Sequence, residues 1–330
     1  MTVLLGLAVI ALVTVVAWTA PLLARPTLPF GVRVPAAHTG APELRACQRR
    51  HGERVLAVGA LAAVTLLGVW LWSGWAPGPR WVAPLVVLDV LMALLASAEV
   101  AKVKRRNDFA AGTRSVVVAD TGLRTSPERV PWLLFLPAAA LAGIAVALGA
   151  SWSWAPALNP VLVLLTVLLA VLAILRARPE IEPDRPAASA HRYRLYLRGL
   201  SRLLALSAGA ANLTLLMLAL REWQVLPDEW WLTPVAFLPV LLALGFWVRF
   251  AVRVGDAGHR LPGAPEVERP DARRDDDRYW YAAGMLYANR LDPALLVHRR
   301  SGMFWTLNLG HPLAWAILGV AAVFGVAAGF

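Results

Sequence analysis

Long apolar runs alternate with shorter charged intervals along the whole chain, and the runs are too long to be strands. Stretches of 15 or more mostly apolar residues, nearly free of charge, fall at about 2–24, 55–75, 81–100, 132–150, 157–175, 203–221, 232–249 and 312–330. At a helical rise of about 1.5 Å per residue, such runs suit a hydrocarbon core of roughly 30 Å. The pattern predicts an all-α integral membrane bundle of about eight transmembrane helices. The fifth run is the shortest, and Pro156 and Pro160 blur its start. Eight such runs in one chain argue against the buried helices of a soluble all-α protein. No basic residues precede the first run and several follow it, so it reads as a retained helix and not a cleaved signal.

Charge gives this pattern a direction. Of the 32 Lys and Arg residues, 30 lie in four alternate loops, 25–54, 101–131, 176–202 and 249–311. Basic residues near membrane ends are retained on the cytoplasmic side, which predicts these loops inside and both chain ends outside. Sixteen of the 21 acidic residues share the same loops, leaving them strongly positive. The formal net charge of +11 therefore belongs to one membrane face. It points to anionic lipid head groups, at about 1 kcal/mol per basic residue near the surface, and away from nucleic acid. Trp70, Trp72, Trp75, Trp81, Trp152, Trp154, Trp223, Trp230 and Trp231 fall at the outer ends of the runs, as an interfacial aromatic belt does. Cys47 is the only cysteine, which excludes an intrachain disulfide. Two lysines against thirty arginines, with abundant Ala, Leu and Val, suggest a GC-rich bacterial genome, hence a bacterial cytoplasmic (plasma) membrane.

Four regions follow from these boundaries: a bundle of seven spans over 1–250, a flexible linker rich in Gly and Pro over 251–272, an interfacial segment over 273–311, and a last span over 312–330. Within the first basic loop, Pro26, Pro29 and Pro35 forbid helix, and Pro42-Glu43-Leu44 opens a helical lead into span two. Lys102, Lys104, Arg105 and Arg106 read as a head-group clamp. Ser115-Val116-Val117-Val118 with Asp120-Thr121-Gly122 reads as a small strand and turn. Arg194, Arg198 and Arg202 form an i, i+4 stripe suited to lipid phosphates or an acidic partner. Residues 275–310 mix aromatics, turn formers and Arg at a density expected of a segment folded onto the membrane surface, rings buried and Arg at phosphate height. Asp275, Asp276 and Asp277 stand among Arg273, Arg274 and Arg278, as self-neutralised charge does.

The stretch from Asp277-Arg278-Tyr279-Trp280 through Gly284, Asn289, Asp292-Pro293, Arg300, Gly302, Trp305, Asn308 and Gly310 resembles the domain of unknown function 5808 of bacterial multi-pass membrane proteins. Phe30-Gly31-Val32-Arg33-Val34-Pro35 is similar to an N-terminal motif of the same proteins. The resemblance implies a distant relation to SdpI-type bacteriocin immunity proteins. The Pro-His-Asn-Gly-type outer loop shared with those proteins is missing, since residues 151–160 read Ser-Trp-Ser-Trp-Ala-Pro-Ala-Leu-Asn-Pro, and Phe304 stands where Gly is usual. No catalytic residue is implied.

Asp89 is the one acid near the middle of a span, where a charge costs roughly 2.5–3.5 kcal/mol. It is expected either as a proton or cation site or as a structural group bonded to Asn212 or Thr214. Glu99 is expected to pair with Lys102. The six His show no metal-ligand spacing, and no phosphate-binding, serine-hydrolase or dinucleotide motif appears, so neither metal nor cofactor is expected. The leading expectation is a non-enzymatic membrane protein acting as a regulator, sensor or envelope-protective accessory, with a protein partner at the cytoplasmic loops. The alternatives are a small secondary transporter using Asp89 and an interfacial enzyme acting on lipid around Asn289, Asp292 and Arg300.

Overall fold

The computed structural model describes residues 3–74, 82–109, 111, 114–115, 122–265, 267, 272–274 and 276–327. Its helices are α1 (Val3–Leu23), α2 (Pro42–Ser73), α3 (Val82–Arg106), the single turn α4 (Gly122–Thr125), α5 (Trp132–Gly149), α6 (Trp154–Arg176), α7 (Pro186–Glu222), α8 (Leu232–Val254) and α9 (Pro312–Ala327). Seven of these, α1 to α3 and α5 to α8, are long and apolar enough to cross a membrane. Large apolar side chains such as Leu61, Leu133 and Leu169 point outward along them, which suits a hydrocarbon surround and not water. The eighth expected span is shorter than the rest: α9 is described for 16 residues, about 24 Å of helix. Pro42 does start α2, one unbroken helix that carries the basic lead into the span.

The chain forms two compact units. The first holds Met1–Val118, Glu182–Arg185 and Val267–Phe330; the second holds Ala119–Ile181 and Pro186–Glu266. In the first, α1, α2 and α3 pack together around Ile10, Leu66 and Leu85. Gly59 admits the Thr14 side chain, and Gly52 lies against the Trp18 indole; a methyl at either position would be crowded. Small residues at such crossings let helix backbones approach where no hydrophobic effect drives association.

In the second unit α5 to α8 pack on the same principle. Ala138, Ala142, Ala145, Ala205 and Ala208 are buried, and Gly149 meets Ala157. Asn212 is wholly buried and donates from Nδ2 to the Ala138 carbonyl at 2.9 Å and the Pro160 carbonyl at 3.1 Å, tying α7 to α5 and α6. Thr214 donates to the Ala236 carbonyl at 2.7 Å and ties α7 to α8. Trp223, expected in the interfacial belt, is instead buried with Ala157 and Ala219 because the end of α7 packs against the start of α6. Trp72, at 92% exposed, points outward, as do Trp152, Trp154 and Trp230. Trp75 and Trp81 lie outside the described residues, as do Val116 to Val118 and Asp120.

The stretch expected as a flexible linker is packed where it leaves α8. Asp256, Ala257 and Gly258 are buried, and Gly258 and Gly263 lie against α7 at Arg192 and Ala188, where a side chain would collide. The signal was composition alone: Gly and Pro serve close packing as well as mobility.

Candidate functional site

The largest non-helical structure is a small β module on the basic side of the first unit. Strands β1 (Arg114–Ser115) and β2 (Ala272–Arg273) pair in parallel. Strand β3 (Trp280–Tyr281) pairs antiparallel with β4 (Leu286–Tyr287), and β5 (Leu296–His298) with β6 (Trp305–Leu307). A bridge from Tyr287 to Asn308 joins the two hairpins. Trp280, Tyr287 and Val297 form the core between them, with Tyr279 and Ala294 alongside. His298 is fully buried, its ring edge-on to Trp305 at 4.9 Å.

The N-terminal motif supplies the other wall. Phe30 and Gly31 both adopt left-handed backbone, φ +49° and +77°, so the chain doubles back and Val34 N–H reaches the Thr27 carbonyl at 2.9 Å. This places the Phe30 ring among Cys47, Leu44, Val100 and Phe109, and edge-on to His51 at 4.8 Å. It also brings the Gly31 backbone onto the β3–β4 turn, where Ala282, Ala283 and Gly284 are all left-handed. A Cβ on Gly31 would collide with the Ala283 carbonyl, and one on Gly284 would sit 2.8 Å from the Gly31 Cα. Two glycines 253 positions apart are thus required by one backbone contact.

Arg300 closes the module. Its side chain is 1% exposed and lies over the Trp280 ring, 5.1 Å from the centroid. Nη1 donates to the Gly31 carbonyl at 3.2 Å and to Asp277 Oδ1 at 2.5 Å, and Nη2 donates to Asp276. Asp276 also forms ion pairs with the Arg274 Nε at 2.9 Å and the Arg33 Nε at 3.6 Å; Asp277 receives the Lys104 ammonium at 2.5 Å. Burial by itself would raise the Asp277 carboxyl, but the Arg300 and Lys104 charges and their hydrogen bonds outweigh it and hold it below the usual carboxylate range. Nearby, burial and the Glu182 charge push the Asp184 carboxyl up. Arg25 donates to the Arg299 carbonyl at 3.3 Å, and Thr27 to Glu182 at 3.3 Å. Segments of all four basic loops therefore meet in one place.

Asn308 organises the remaining motif residues. Fully buried, it accepts from the Asn289 and Gly310 amides and donates to the Asn289, Asp292 and Ala294 carbonyls, all at 2.9–3.2 Å. Tyr287 donates to Asp292 at 3.0 Å and accepts from Asn289. Gly310 lies against the Asn289 backbone where a Cβ has no room, and Gly302 sits at φ +78° in the β5–β6 turn. Pro293 is exposed in the same loop, and Trp305 is half-buried in β6. Asn289 and Asp292 are thus held in one loop by Tyr287 and Asn308, whereas Arg300 is held by Asp276, Asp277 and the Gly31 carbonyl.

Several expectations need correction. Arg300 is not at phosphate height, because two carboxylates and a backbone carbonyl hold it inside the module. Lys104 is an ion-pair partner of Asp277, not only a head-group clamp. Glu99 pairs across helices with Arg50 at 3.1 Å and Arg54 at 2.8 Å. Sequence spacing could not find that pair, because α2 and α3 run side by side. Of the arginine stripe, Arg198 is closed by Glu128, two bonds at 3.0 Å. Asn212 and Thr214 are committed to carbonyls of their own unit, while Asp89 belongs to the other. Asp89 is 9% exposed, and neither carboxylate oxygen has a hydrogen-bond partner among the described residues. No cluster of potential metal ligands occurs among the described residues, and Asp275 is not one of them.

Fold and module together define a multi-pass α-helical membrane protein bearing a compact, ion-paired β module. Residues 290–315, the second half of that module and the start of α9, match a family of unknown function, DUF5808. No curated protein and no solved structure matches the chain.

Proposed function

We propose that this is a non-enzymatic integral protein of a bacterial cytoplasmic membrane, acting through its cytoplasmic module as a regulator, sensor or envelope-protective accessory. The carrying observation is the Arg300–Gly31 clamp, which makes a rigid module from two motifs at opposite ends of the chain. Rigid presentation serves recognition. The β3–β4 hairpin buries Trp280 and Tyr287 on one face and keeps the directly opposed Tyr281 and Leu286 exposed on the other. An exposed apolar pair beside a basic surface suits a protein partner. The excess of Arg and Lys on the module side supports its cytoplasmic placement, both chain ends outside. A photo-crosslinking residue at Tyr281 or Leu286, used in native membranes, is expected to trap one discrete protein, and to lose it in Arg300→Ala. Lipid adducts alone at both positions would remove the reading.

Asp89 favours a second reading, a secondary transporter. A buried carboxyl group without a hydrogen-bond partner among the described residues is costly in a span and is a functional candidate for that reason. In reconstituted vesicles, transport predicts proton- or cation-coupled flux that Asp89→Asn abolishes; equal flux in both proteins would dismiss it.

A further inference from the structure

The second unit carries a groove that neither the module nor Asp89 explains. It runs between α7 and α8, has a volume of about 470 Å³, and its lining changes character along its length. One end holds Arg202, Arg249 and Arg253; the other is walled by Ala210, Pro239 and Leu242. From Gly199 to Ala210 the groove follows about 17 Å of helix. One leaflet of hydrocarbon is about 15 Å thick, half of the full core. The basic end thus falls at head-group depth when the apolar end reaches the bilayer centre.

Local packing keeps the groove open. Gly199 receives the Phe250 ring, which a Cβ would meet at 2.8 Å. Trp247 donates to the Ser207 hydroxyl at 3.0 Å, pinning the helices together at mid-length and satisfying the one indole donor there. The three arginines are exposed and form no ion pair with any described residue, in contrast to Arg198 one turn away, which Glu128 closes. Unpaired guanidiniums converging at the mouth of an apolar channel call for an anion that carries its own hydrocarbon. Guanidinium recognises phosphate in a fixed, bidentate geometry. A soluble phosphate would leave the apolar length unfilled, and a neutral lipid would leave the three cations unmatched.

We propose that the α7–α8 groove is a binding site for an anionic glycerophospholipid of the inner leaflet. Its phosphodiester is held by Arg202, Arg249 and Arg253, and one acyl chain lies along Leu206, Ala210 and Ala243. Basic pockets between transmembrane helices on the cytoplasmic side are suited to such head groups.

Native mass spectrometry of the full-length protein, released from nanodiscs of mixed phosphatidylglycerol and phosphatidylcholine, tests this directly. The protein is expected to retain phosphatidylglycerol selectively. Retention falls about fivefold for each arginine changed to Gln, and on the order of a hundredfold in Arg202→Gln/Arg249→Gln/Arg253→Gln. Ala243→Phe fills the apolar length, leaves every charge in place and is expected to lower retention as well. Arg194→Gln, on α7 outside the groove, leaves it unchanged. Arg253→Gln alone, at an exposed position, serves if the triple variant is poorly folded. Equal retention in wild type and Arg253→Gln would overturn the site. So would an Ala243→Phe protein that retains lipid normally, which marks diffuse surface charge, and so would displacement of the lipid by glycerol 3-phosphate at the concentration that binds wild type, which marks a free-phosphate site.

Discussion

The Arg300 guanidinium donates to the Gly31 carbonyl at 3.2 Å across 269 positions of sequence. One side chain therefore neutralises two acids and fixes the backbone of the N-terminal motif. Removing Arg300 leaves Asp276 buried without its main cation and the Gly31 carbonyl without a donor. Losing one partner of a buried pair costs about 3–5 kcal/mol. Arg300→Ala is expected to loosen the module and speed tryptic cleavage after Arg278, Arg290 and Arg299 in the intact protein, read by mass spectrometry of the early cleavage products. Arg300→Lys rescues little, since an ammonium cannot reproduce the forked geometry. Unchanged cleavage kinetics in Arg300→Ala would contradict the clamp.

Gly31 and Gly74 separate backbone strain from crowding. Both are left-handed, at φ +77° and +66°, but a methyl on Gly31 strikes the Ala283 carbonyl whereas one on Gly74 meets open space. Gly74→Ala is expected to cost about 1–2 kcal/mol, the left-handed penalty alone. Gly31→Ala adds a clash with backbone and costs more, so its thermal midpoint in differential scanning fluorimetry should lie clearly below that of Gly74→Ala.

Asn308 is the donor and acceptor for five backbone groups. Its replacement by Ala strands buried carbonyls at about 1–3 kcal/mol each before relaxation. Asn308→Asp keeps the size but turns a carboxylate oxygen toward three carbonyls, and is expected to be worse. Hydrogen exchange should show the Asn289 and Gly310 amides losing protection in both variants.

The two acids of the module respond to pH with opposite sign. Asp277 is depressed, so its stabilisation is complete above its unfolded value near 3.9 and is lost as pH falls from there toward its lower folded value. Asp184 is raised, so its contribution is complete below that unfolded value and is lost as pH rises through its higher folded one. Melting temperatures across pH should therefore lose part of their acid-side slope in Asp277→Asn. Asp184→Asn should flatten the decline at higher pH. Identical profiles in wild type and Asp277→Asn would mean that the Lys104 and Arg300 contacts are not made in solution.

The helices were legible because burial and lipid exposure both demand long apolar runs, and Val3–Leu23 or Leu232–Val254 match their runs to within a few residues at most ends. The strands were not. Segments of two or three residues, such as Trp280–Tyr281, are too short to show a two-residue period. Trp223 and Glu99 misled because an interfacial tryptophan and a packed one look alike in sequence, and so do a local ion pair and one across helices. Among the motif residues, Gly31, Gly284 and Arg300 were visible as a resemblance, but their meeting in one contact was not.

By itself, then, the sequence determined the membrane class, the helix count to within one span, and a charge partition that sets four loops apart. Those properties depend on composition over tens of residues, which no tertiary contact can reverse. Only the tertiary structure decided that segments of those four loops meet in the first unit, that Arg300 is the hub of the module there, and that three arginines on α7 and α8 stand at the mouth of a groove without an ion pair among the described residues. Such facts rest on contacts between residues far apart in the chain, and loop closure erases any local trace of them.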